Sequence, residues 1–173
     1  DLGDHLRVGA VEVDVEHAVV AAVGDIGKAC GTCHDKPREG GHASLYETYR
    51  RSYHGQVTNL GYSRGARCSD CHGAHDVRKI DDPMSRMSSV NRVATCAKCH
   101  ANAGISAEYK MKFPNVEAQY QESMHGKALL EKGDLSAPAC NDCHGNHGAA
   151  PPNVNDIAFV CGNCHGREGE LFE

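Results

Sequence analysis

Tryptophan is absent from this 173-residue chain, and with three Phe and six Tyr the aromatics reach only 5%. By length the chain is a single domain, yet a core drawn from so few large side chains is too thin to close it. Long hydrophobic runs are missing as well. The best, Ala18-Val19-Val20-Ala21-Ala22-Val23, is six residues, against the roughly 20 that a membrane-spanning helix needs. Basic excess is also lacking: the formal charge of -5 argues against a nucleic-acid partner, which would call for a positive patch. The opening Asp-Leu-Gly-Asp-His has no basic segment leading into an apolar one, so it reads as a mature terminus.

Cysteine and histidine are what the chain has instead, 10 and 12 residues. All ten cysteines fall into five copies of Cys-x-x-Cys-His: Cys30, Cys33 and His34; Cys68, Cys71 and His72; Cys96, Cys99 and His100; Cys140, Cys143 and His144; Cys161, Cys164 and His165. This is the attachment signature of c-type haem. Two cysteines three apart lie on one side of a helical turn, where their sulfurs bond the haem vinyl groups. The next residue projects over the haem face as proximal ligand. If the cysteine pairs served another end, five of five followed by His would have a chance of about 10⁻⁶. Structural zinc pairs its knuckles two to an ion and leaves the trailing His unexplained. Redox Cys-x-x-Cys pairs come singly, and a disulfide framework would not demand local pairing. Five covalent haems, one per about 35 residues, would supply the missing apolar mass. The expected fold is mainly α with extensive loops and little or no sheet, wrapped around haems that form the core, and folding is coupled to attachment.

Repeats divide the chain. Ser52-Tyr53-His54-Gly55 precedes Cys68, and Ser123-Met124-His125-Gly126 precedes Cys140; the two His-to-Cys spacings are 14 and 15 residues. The motifs that follow continue as His72-Gly73-Ala74-His75 and His144-Gly145-Asn146-His147. A plainer motif then closes each copy. Residues 49–119 and 120–173 therefore read as two di-haem modules behind an N-terminal segment, 1–48, with haem 1; the whole is one compact unit. His54, His75, His125 and His147 recur at matched places and are the expected distal ligands. His17, 13 residues before Cys30, is expected as the fifth by the same logic, with His42 its rival and His5 a spare or a ligand lent to another chain. A helix is expected from Ala43 to Tyr53, with its tyrosines against a haem face, and two short helical pieces are expected between Glu108 and Met124, split at Pro114. The glycine after His54 and His125 is expected to let backbone approach a porphyrin edge. Met84, Met87, Met111 and Met124 are expected to pack rather than ligate.

The phrases Cys140-Asn-Asp-Cys-His-Gly-Asn-His-Gly-Ala-Ala-Pro-Pro152 and Ser-x-His-Gly resemble those of multihaem cytochromes c, a likeness covering roughly residues 43–173. It implies a periplasmic or extracellular electron carrier with redox partner proteins, no catalytic residues, and low potentials from paired histidine ligands. It also implies two alternatives. Some of that group polymerise into conductive filaments, one subunit lending a distal histidine to the next. Related reductases and oxidases keep one haem open or replace its proximal His by Lys, whereas all five motifs here end in His. With eight residues after His165, the last haem is expected to take its distal ligand from upstream or from a partner.

Overall fold

The computed structural model describes residues 27–172. It is mainly helical, as expected, with no strand among the described residues and one isolated bridge between Arg38 and His42. Helix α1 spans 27–34 and ends on the first motif. Helices α2 (Leu45–Arg51) and α3 (Tyr53–Asn59) pack on each other, and α4 (Cys68–His72) is the second motif. Helix α5 (Arg92–His100) ends on the third, followed by α6 (Ala103–Glu108) and α7 (Val116–Glu122). Helix α8 (Met124–Gly126) runs into a π turn at Lys127–Glu131, and α9 (Cys140–His144) is the fourth motif. Helix α10 (Ile157–Gly162) carries Cys161, and α11 (Gly166–Gly169) follows His165.

The single helix expected from Ala43 to Tyr53 is broken. Ser52 is extended at φ -69°, ψ 164°. Its Oγ donates to Tyr49 O at 2.6 Å and accepts the Gly55 N–H at 3.1 Å, ending α2 and capping α3 in one residue. Around Pro114 only one of the two expected pieces forms. After α6 stops at Glu108, Lys110 adopts a left-handed φ of 51°, and helix resumes at Val116.

Among the described residues the longest of these helices, α5, has nine residues, short of the roughly 12–15 at which a helix holds in water by itself. The buried apolar side chains among the described residues are Val93, Leu129 and Ala139, with Tyr120 and Ala137 against them. At no more than about 3 kcal/mol each, they fall far short of an ordering cost of about 1–2 kcal/mol per residue. Meanwhile Val154, Phe159 and Leu171 stand exposed. The described residues by themselves thus call for an additional apolar body to fold around. No described helix is long and apolar enough to cross a membrane.

Candidate haem sites

Two corners of identical construction present His54 and His125. In each, a Tyr, a Ser and a Gly sit five residues before, two before and one after the histidine. Ser123 Oγ donates to Tyr120 O at 2.7 Å and accepts the Gly126 N–H at 3.0 Å, as Ser52 does for Tyr49 and Gly55. A β-carbon on Gly55 would lie 2.1 Å from Tyr49 O, and one on Gly126 would lie 1.9 Å from Tyr120 O. These glycines are thus required by the corner's own backbone, a reason for glycine that stands independently of any porphyrin edge nearby. The tyrosines are anchors: Tyr49 Oη donates to Ala66 O at 2.9 Å and Tyr120 Oη to Pro138 O at 2.8 Å, each two residues before the next motif. Their identical offset in the two copies, five residues before each histidine, is the sequence signal for this role. Tyr120→Phe should lower stability by about 1 kcal/mol, measured as a shifted denaturation midpoint at unchanged slope.

The motifs are fixed just as locally. The carboxylates of Asp70 and Asp142, inside Cys-x-Asp-Cys-His, accept the backbone N–H of Arg67 at 2.8 Å and of Ala139 at 2.7 Å. Gly73 and Gly145 end these turns at φ 81° and 79°, a left-handed conformation suited to glycine.

Three pairs of imidazoles face each other among the described residues. His72 and His147 have ring centroids 5.9 Å apart and planes 11° apart; His54 and His100 are 6.0 Å and 60° apart; His125 and His165 are 6.0 Å and 31° apart. A metal–imidazole bond of about 2.0 Å, plus about 1.1 Å from nitrogen to ring centre, puts two rings on opposite faces of one metal about 6 Å apart. Each pair joins a motif histidine to one of the recurring histidines. The donor set therefore fits an iron held between two imidazoles. A bare ion is served poorly, since no three of His, Cys, Asp and Glu converge on one point among the described residues. None of the ten cysteines is paired in a disulfide, so every one can form a thioether bond.

A folded-back loop makes the first pair. Ala149 O accepts the Tyr53 N–H at 3.4 Å, and a β-carbon on Gly148 would lie 3.1 Å from Thr48 Cγ2, so the segment after α9 lies against α2 and α3. This carries His147 across to α4. At the same loop, His144 Nδ1 lies 3.2 Å from Ala150 O, a contact that leaves Nε2 for a metal. No second imidazole faces His34 or His144 among the described residues. His42 and His75 are exposed and in no ring pair, while His5 and His17 lie outside the described residues. Met84 and Met124 are exposed, and Met111 sulfur is 3.7 Å from Ser106 Oγ.

Burial holds His54, His72, His100 and His147 below the ordinary histidine range, each with a second imidazole adding to the effect. The neutral ring that ligates a metal is thereby favoured. The thiols show which motifs are neighbours. Cys68 is pushed up to about 11 by burial and then by Cys30. Burial, Asp70 and then Cys99 raise Cys71. A hydrogen bond to Cys140 raises Cys96, and burial and then Cys161 raise Cys143. Motifs one to five are therefore adjacent in chain order. First cysteines meet at the 1–2 and 3–4 junctions, while Cys71 feels the charge of Cys99 at 2–3.

A family model described as Cytochrome c3 matches residues 61–166, from just before the second motif to just past the fifth. The chain belongs to the cytochrome c3 family. As a cytochrome c3 family member it binds c-type haem covalently through cysteines and serves haem-based electron transfer. Proteins of this family are typically periplasmic or extracellular. No curated protein and no solved structure matches the chain.

Proposed function

We propose that this protein carries five haem c groups, one at each motif, and moves electrons between redox partner proteins outside the cytoplasm without performing catalysis. The facing imidazole pairs carry this reading. His34, His72, His100, His144 and His165 are the proximal ligands; His147, His54 and His125 are the distal ligands opposite His72, His100 and His165. For the sites of His34 and His144 the remaining histidines are His17, His75, His42 and His5. When bound, haem supplies a one-electron couple, at low potential with two nitrogen ligands. The polypeptide's part is to keep its imidazoles neutral, hold them in facing pairs, and set successive sites beside one another.

The test is the mass and alkaline-pyridine spectrum of the intact holoprotein. Five haems per chain and no carbon monoxide binding are expected; fewer haems, or an iron that takes carbon monoxide rapidly, would favour a reductase or oxidase with an open site. A conductive filament is the second reading, and His144 favours it. The residue is exposed, Nδ1 is occupied by Ala150 O, and a histidine of another copy would complete the pair. Negative-stain microscopy of the purified protein separates dispersed particles from fibres.

A further inference from the structure

Arg92 opens α5, four residues before Cys96, and its side chain is only 15% exposed. Nη1 donates to Asn141 Oδ1 at 2.8 Å and lies 3.5 Å from Asp142 Oδ2. Nε and Nη2 donate to Met87 O at 3.3 and 3.4 Å. Asn141 and Asp142 are the two residues between Cys140 and Cys143. One guanidinium thus grips the inside of the fourth motif while its own helix carries the third. Its field reaches both neighbouring sulfurs, favouring negative charge at Cys96 and at Cys140. At the 1–2 junction the corresponding aspartate, Asp70, instead pairs with Arg67 of its own segment at 3.5 Å.

A largely buried cation beside two redox centres does two things. Its planar fork fixes the angle between the elements it bridges, which a point charge on a flexible stem does not. Its charge favours whichever redox state carries less positive charge, and a poorly solvated setting strengthens that effect. We propose that Arg92 is the positioning residue of the third and fourth haem sites, locking them against each other and holding both reduction potentials up. This rests on both motifs carrying haem.

The experiment compares wild-type holoprotein with R92Q, R92K and D142N by haem content, optical redox titration and circular dichroism in the Soret band. R92Q should retain the wild-type haem content and spin state while two of the five potentials shift down, because the cation is gone and Asp142 is left unopposed. R92K should keep those two potentials near wild type but weaken the split Soret signal that reports coupling between adjacent haems. D142N should move the same two potentials up, and it decides the matter should R92Q fail to mature. Titration curves of R92Q and D142N that superimpose on wild type would overturn the role of Arg92. Wild-type protein with no haem at the third or fourth motif would instead overturn the five-haem reading.

Discussion

Alanine at Gly126 is expected to destabilise the protein by about 3 kcal/mol and to release His125 from the fifth site. The added carbon would sit 1.9 Å from Tyr120 O, so backbone rather than a flexible side chain must give way. Retreat would break the Ser123 cap, whose two hydrogen bonds set the direction in which α8 leaves the corner. His125 is the residue immediately before. Gly55→Ala, with its clash of 2.1 Å against Tyr49 O, should do the same to His54. Gly133→Ala is the control, because nothing lies within 4 Å of its β-carbon and only a φ of 68° is strained; a loss of about 1 kcal/mol is expected there. Denaturant unfolding followed in the far ultraviolet measures the stabilities, and a high-spin band in the oxidised spectrum reports the freed site. Equal, small losses at all three glycines would refute the corner as the device that aims the histidines.

Removing the imidazole of His147 should convert one low-spin centre to high spin, confer carbon monoxide binding on one haem per chain, and leave haem content unchanged. His72 alone would then hold that iron. The effect should stay at one site because His147 faces His72 and neither of the other motif histidines that are paired. His147→Met should keep the centre low-spin but raise its potential, since thioether ligation favours the reduced iron relative to imidazole. A His147→Ala protein with an unchanged spectrum and no carbon monoxide binding would reject the pairing. His75→Ala separates the two members of the repeat: among the described residues His75 is in no ring pair, so the site of His72 should be untouched by its loss.

The five motifs, the two recurring histidine corners and a fold of short helices were legible in the sequence because each is a local pattern. Cysteine spacing is set within one helical turn, and Ser-x-His-Gly is a cap with its own hydrogen bonds. The helix break at Ser52 was hidden because Leu45, Tyr46, Tyr49 and Tyr53 keep near-helical spacing across it. The partner of His147 was hidden for a different reason. It depends on the loop at Gly148–Ala150 folding back on α2 and α3, a contact about 100 residues distant in sequence that no periodicity encodes. Arg92 escaped notice because an arginine at a helix start is ordinarily solvated. Only the approach of α9 gives it Asn141 and Asp142.

Electron paramagnetic resonance of the fully oxidised holoprotein, integrated against its haem content, tests the central claim most directly. The account predicts five haems per chain, with low-spin signals of paired-imidazole type integrating to at least the three irons of His72, His100 and His165. A spectrum dominated by high-spin iron, or low-spin intensity short of three irons per chain, would contradict it.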